Sequence, residues 1–258
     1  MGSLTNFQAK GYEVFAAEKQ ELLQELRQKI FIKAREMVGH TGNDAAEFFN
    51  QFHQYKLSGA DLNRIRVGMV DFCTKELNVA RTLFQAFNPT LMSLVGPDVA
   101  AQKVVNVVIQ PPGDADQVPI HRDAPLNSNF EVILWLPLVD VYDTKSMFIA
   151  DRERSLMGVE MLKQGKSYQE YGKYTESHSE NLKISFGSGC FFSAGLSHGC
   201  HVNVEKETRW SLNIRYKNLF SPYGSKGLAE FFEIIQTSPL TRVAFEFDRL
   251  DYDHRAKN

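Results

Sequence analysis

The chain has 258 residues, 43% of them hydrophobic and 23% charged, with a formal net charge of −2. That length buries a substantial single core, and the near-neutral balance gives no electrostatic footprint of a nucleic-acid partner. Three cysteines, Cys73, Cys190 and Cys200, are odd in number and follow no metal-type spacing, which points to reduced thiols in a cytoplasmic setting. Segment 1–19 carries no apolar core of signal-peptide length, and no stretch approaches the length that spans a bilayer, so no membrane partner is expected.

Leu23, Leu26, Ile30, Ala34 and Met37 recur at spacings of three and four, which predicts a helix with one apolar face and a stop at Gly39. A shorter helix is expected over 45–53, with Phe48, Phe49 and Phe52 facing inward. Ser58 and Asp61 make a capping-box-like pair opening a third helix, which carries Leu62, Ile65, Met69, Phe72, Ala80, Leu83 and Phe87. Asn88-Pro89 and Gly96-Pro97 then punctuate the chain.

From residue 103 the period changes. Segment 103–110 is rich in valine and stops at Pro111-Pro112-Gly113, which reads as a strand and turn. Further strands are expected at 130–139, 146–150, 182–186, 189–193 and 208–217, and a last helix at 226–236. Segment 151–181 interrupts the strands with charges and with Tyr168, Tyr171 and Tyr174. A connection of that length is expected to be partly helical or a functional lid. Strand–helix alternation is missing, which argues against a parallel doubly wound sheet. The expected class is α+β, with a jelly-roll core and the N-terminal helices packed on one face. We expect one domain: a helical part at 1–98, the jelly roll at 99–220 with its insertion, and a C-terminal helix and tail at 221–258.

His121 and Asp123 are two residues apart in a short extended segment, so both side chains point the same way and can reach one metal. An imidazole, a carboxylate and a further histidine form the facial triad of non-haem iron enzymes, which leaves coordination positions open. The other reading is a surface turn, with Asp123 capping a loop ahead of Pro125. The third ligand is His198 or His201. These have opposite strand parity, and Gly199 beside His198 lets backbone approach closely, which favours His198. In 208–217, Arg209, Ser211, Asn213 and Arg215 share one face, and Trp210, Leu212, Ile214 and Tyr216 share the other. Either the polar face meets water, or it lines the barrel and a guanidinium grips a carboxylate there.

These residues together resemble the Fe(II)/2-oxoglutarate-dependent dioxygenases with a double-stranded β-helix core. The resemblance is carried by His121-x-Asp123, His198-Gly199, Asn203, Arg209-x-Ser211 and the strand VILWLPLVD over 132–140. The run from His198 to Arg215 is similar to the phytanoyl-CoA-hydroxylase-like branch, and more so to the StrG-like oxygenases of streptomycin-type carbohydrate gene clusters. The resemblance implies His121, Asp123 and His198 as iron ligands, with Arg209 and Ser211 on the distal carboxylate of 2-oxoglutarate. It implies Fe(II), 2-oxoglutarate and O₂ as the reaction's components, succinate as a product, and a small hydroxyl-bearing substrate such as a sugar or sugar conjugate. The carboxylate at Asp123 stands where related halogenases have a small residue, so hydroxylation is expected over halogenation.

Other residues keep two readings each. Asn106 and Gln110 share a strand face and either bind co-substrate or substrate, or cap the strand end. Arg215 either binds the proximal carboxylate of 2-oxoglutarate, binds an anionic substrate group, or pairs with an acidic side chain. The competing reading of the whole chain is a cupin-like barrel that binds a metal or ligand without oxygenase turnover. Arg209 and Ser211 discriminate, because such a barrel has no use for a dicarboxylate clamp.

Overall fold

The computed structural model describes residues 4–115, 119–124 and 127–255, with the side chains of the last helix described to residue 247; Pro125 lies outside the described residues. A short helix α1 (Thr5–Lys10) leads into strand β1 (Tyr12–Ala16) and then into α2 (Gln20–Val38). Helix α2 ends as expected at Gly39, whose φ of 68° is the left-handed turn that glycine adopts without strain. Helix α3 (Ala45–Asn50) stops earlier than expected, and a 3₁₀ turn at Phe52–Tyr55 carries the chain on while keeping Phe52 buried.

The expected third helix is two, joined by a π-type turn. Helix α4 (Gly59–Asp71) begins at its Ser58 cap, whose hydroxyl accepts from the Asp61 amide, and runs into a π-type turn at Phe72–Glu76. Asn78, at φ 45°, breaks the run and caps α5 (Val79–Ala86). The Asn88-Pro89 pair does not end structure but starts α6 (Asn88–Val95), with proline in the first turn where no amide partner is lost.

Within the valine-rich stretch 103–110 the strand is β3 (Asn106–Gln110), and a further strand not expected from the sequence, β2 (Val99–Gln102), precedes it. Both pair with the long strand β9 (Arg209–Asn218), β2 along its end and β3 along its start. Next come β4 (Glu131–Pro137) and β5 (Met147–Ile149). The 151–181 segment is largely a helical pair, α7 (Arg152–Lys163) and α8 (Tyr168–Ser177), the second opened by a full Ser167/Glu170 capping box. Strand β6 (Glu180–Asn181) follows, then β7 (Ser188–Ser193) and β8 (His198–Cys200). The strand expected at 182–186 is not formed; Ile184 makes a single bridge to Val141. The helix expected at 226–236 is also corrected, because FEIIQ forms β10 (Phe232–Gln236), paired with β2. Helix α9 (Pro239–Arg255) closes the chain.

The strands form two sheets. The larger runs β1-β7-β4-β9-β2-β10 with β3 beside β9, and the smaller runs β6-β5-β8. Every strand pair among the described residues is antiparallel, as a jelly roll requires. Alternation along the central strands sorts the two cores. Val132, Leu134 and Leu136 of β4 and Trp210, Leu212, Ile214 and Tyr216 of β9 join the helices in one large apolar cluster. Ile133 and Trp135 of β4 turn the other way and pack with Met147 and Ile149 of the small sheet and Phe192 of β7. The helices therefore cover the outer face of the large sheet, and the space between the sheets remains for β9's polar face.

Candidate metal centre

His121 and His198 face each other directly. Each donates its amide to the other's carbonyl, both at 2.9 Å, so the His121 segment continues the small sheet beyond β8. Residues opposite one another in an antiparallel pair share a side, which brings the two imidazoles together with centroids 4.3 Å apart. Two residues on, Asp123 follows on the same side, its Oδ1 at 3.8 Å from His121 Nε2. One ligand atom from each of His121, Asp123 and His198 lies within 4.8 Å of the others. Three donors so close are the set that an octahedral metal with open positions needs.

The tautomers are fixed by the backbone. His121 Nδ1 lies 2.8 Å from the Pro119 carbonyl, and His198 Nδ1 lies 2.9 Å from the Leu196 carbonyl. A carbonyl only accepts, so each Nδ1 carries the proton and each Nε2 keeps its lone pair for a metal. Burial, then the neighbouring His121, push His198 down to about 4. A neutral imidazole is what a metal requires.

That depressed value gives a pH prediction for the metal-free protein. Between about pH 6.5 and 4 the unfolded chain binds a proton that folded His198 refuses, so stability falls as pH falls through this window. The loss is on the order of 3 kcal/mol. Chemical unfolding in chelator across this window checks it, and His198→Gln should flatten the slope.

Gly199 earns its place by contact. A Cβ there would lie 2.7 Å from Phe148 Cζ and 3.1 Å from the backbone of Ile120, the residue before His121. Gly199→Ala is expected to push the His121 strand away, costing about 1–3 kcal/mol of stability. Metal affinity should fall with it; titration of the purified variant checks this. His201 has the other parity, packs at a tilt against Phe148 with centroids 4.6 Å apart and lies 3.2 Å from Glu176. The geometry thus brings His198, not His201, to Asp123.

A cavity of about 300 Å³ opens over these residues. Trp135, Met147 and Phe192 give it an apolar wall, and Asn106, Arg209 and Asn213 supply polar groups. The polar face of β9 therefore lines the barrel. Arg209 is 1% exposed, and no carboxylate pairs with it among the described residues. Its Nη1 donates to Cys200 Sγ at 3.3 Å, its guanidinium carbon sits 5.8 Å from the Trp135 ring centre, and its Nε has no acceptor. Ser211, two residues on, is fully buried with an unpartnered hydroxyl.

The remaining candidates separate. Gln110 lies opposite Arg209 in the ladder; its Nε2 donates to the His201 carbonyl at 2.8 Å and its Oε1 is unpartnered. Asn106 is exposed on the cavity wall. Asn203 knots the loop before β9, donating to the carbonyls of Gln110 and Glu207 and accepting from the Glu205 amide. Tyr171 donates to Ser197 and Tyr168 to the Ile120 carbonyl, so these rings fasten α8 to the residues that precede His198 and His121. Arg215 pairs with Asp123 at 2.8 Å and Glu131 at 3.6 Å. Glu131 and Gln102, which complete that network, were not candidates in the sequence, where nothing local links positions so far apart.

No family model matches the chain, and no curated protein does. Solved structures do. The chain is similar to a non-haem monooxygenase described as the ThoJ–Ni complex, with a TM-score of 0.53 and 18% identity over 91% of this chain and 83% of that one. It is similar to the non-haem alpha-ketoglutarate-dependent carbocyclase SnoK from nogalamycin biosynthesis, with a TM-score of 0.54 and 12% identity over 86% and 85%. It is also similar to EctD from S. alaskensis, solved with 2-oxoglutarate and 5-hydroxyectoine, with a TM-score of 0.54 and 12% identity over 84% and 75%. At such identities the likeness establishes the fold: a double-stranded β-helix, cupin-like core.

Proposed function

We propose that this chain is an Fe(II)- and 2-oxoglutarate-dependent oxygenase. It hydroxylates a small polar metabolite, a sugar or sugar conjugate in the leading reading, with one atom of O₂, while the other atom enters succinate as 2-oxoglutarate is oxidatively decarboxylated to succinate and CO₂. One observation carries this: a buried guanidinium with no carboxylate partner among the described residues lines the same cavity as three clustered metal-ligand side chains. Burying an unpaired cation costs several kcal/mol, so a fold that keeps one is expected to use it on a bound anion.

The donor set and the orphaned atoms fit the absent groups. His121, Asp123 and His198 hold the metal, and the unpartnered Oδ2 of Asp123 is available to it. Arg209 grips the far carboxylate of the co-substrate, and the Ser211 hydroxyl donates a further hydrogen bond. Gln110 and Asn106 orient co-substrate and substrate through side-chain amides. When bound, Fe(II) with 2-oxoglutarate and O₂ supplies the oxidising chemistry that no side chain carries. Trp135, Met147 and Phe192 keep water from the reacting centre. The α7–α8 pair, fastened to Ile120 beside His121, selects the substrate.

The chain acts as one domain, and its kinship is with the phytanoyl-CoA-hydroxylase-like and StrG-like oxygenases. Among the described residues no helix is long and apolar enough to cross a membrane. The three free thiols support a cytoplasmic setting. The test is an anaerobic Fe(II) titration with and without 2-oxoglutarate, followed by visible absorbance. A charge-transfer band that needs both supports the reading. Iron binding with no such band would leave a cupin-like metal barrel, and no iron binding would remove the metal centre.

A further inference from the structure

We infer that Arg215 is a positioning residue for the metal-binding carboxylate of Asp123, and that Glu131 and Gln102 hold it in that role. The inference rests on the metal centre proposed above. The sequence alone leaves Arg215 three roles: a second co-substrate clamp, a substrate anion site, or an internal ion pair.

The guanidinium is 9% exposed, and three partners from three elements occupy its edges. Nη2 donates to Asp123 Oδ1 at 2.8 Å, and Nη1 donates to Gln102 Oε1, at the end of β2, at 3.0 Å. Nε faces Glu131 Oε2, at the start of β4, at 3.6 Å. The other oxygen of Glu131 accepts from the Ser128 amide at 2.9 Å. A second clamp would have to release Asp123 or Gln102 to bind a carboxylate, whereas Arg209, six residues earlier on the same face, has no carboxylate to release among the described residues.

Two consequences follow for Asp123. A carboxylate turns easily about its last torsion. With Oδ1 engaged by Arg215, the group is held with Oδ2 buried and unpartnered. A guanidinium this close would repel a divalent ion, but Glu131 carries the opposite charge on its other side. Arg215 and Glu131 together add orientation without net charge. Removing either half should therefore weaken metal binding for a different reason: lost orientation for Arg215, an uncompensated cation for Glu131.

The test uses the purified chain, with Co(II) as the probe metal. In Arg215→Gln, the Co(II) dissociation constant should rise about 10–100-fold, the range for lost partners of metal ligands. The visible Co(II) spectrum should change, while 2-oxoglutarate affinity at saturating Co(II) should stay within about threefold. Glu131→Gln, which keeps the side chain's shape, should weaken Co(II) about tenfold through the unbalanced charge. Unchanged Co(II) affinity and spectrum in folded Arg215→Gln overturn the inference, since a merely structural pair would lower the unfolding temperature and leave both alone. If Arg215→Gln does not fold, Glu131→Gln decides, and unchanged Co(II) binding there overturns it. Lost 2-oxoglutarate affinity with unaltered Co(II) binding would make Arg215 a clamp and also overturn it. His121→Ala is the control: if it keeps full Co(II) affinity, the metal centre itself is wrong, which is a separate failure.

Discussion

Arg209→Met should make the metal- and co-substrate-free protein more stable and nearly abolish 2-oxoglutarate binding. The two effects have one cause. Arg209 is 1% exposed, without a carboxylate partner among the described residues, and its Nε has no acceptor. Methionine fills similar volume against Trp135 without a charge to desolvate, and such replacements of buried ions stabilise by about 1–4 kcal/mol. That is several degrees in unfolding midpoint for a chain of this size. The bound state reverses the sign. Losing one partner of a buried charge-assisted pair costs about 2–5 kcal/mol, or roughly 30- to several-thousand-fold in co-substrate affinity. Thermal unfolding with and without 2-oxoglutarate, at fixed Co(II), reads both. A variant that is less stable and still stabilised by 2-oxoglutarate would move the clamp elsewhere.

The inward turn of the face that carries Arg209 is half legible in the sequence. Alternation in 208–217 fixes which residues share a face with Arg209, but not which face meets water. Strand β9 lies between β4 and either β2 or β3, with helices on its apolar side, and that placement turns the polar face inward. The clustering of His121, Asp123 and His198 is legible for a related reason. Parity puts His121 with Asp123 and separates His198 from His201, and the bridge between His121 and His198 does the rest. What brings those two segments together is pairing across 77 residues, which no local pattern encodes.

Elsewhere local signals misled where tertiary pairing decides. The FFEIIQ run is apolar enough to read as a buried helix, yet its adjacent Ile234 and Ile235 favour a strand, and the open edge of β2 takes it. Strand β1 was invisible because its alternating, half-exposed pattern is short and sits between helices; pairing with β7 makes it a strand. The third helix broke at Asn78, a residue that tolerates the left-handed conformation and caps well in it. Alternation puts Arg215 on the inward face but names no partner for it, because Asp123 and Glu131 come from distant parts of the chain.

His198→Ala and His201→Ala should part completely, although the two histidines are neighbours in sequence. His198 is buried beside His121, with its Nδ1 proton held by the Leu196 carbonyl. Removing its ring takes away one of three donors, so Co(II) affinity should fall by more than the roughly 10–100-fold that supporting partners carry. His201 points to the opposite side, where its ring meets Phe148 and Glu176, and its carbonyl, not its ring, receives Gln110. Its truncation removes a half-exposed contact worth about 0–1 kcal/mol and should leave Co(II) affinity unchanged. Parallel Co(II) titrations of the two variants decide the matter. Equal losses would mean that both rings reach the metal, which a regular β8 forbids, and a loss confined to His201→Ala would require the strand to shift by one residue. Because a one-residue shift flips every side chain, it would also turn Cys200 away from Arg209. The same pair of variants thus tests the register of β8 and the ligand assignment together.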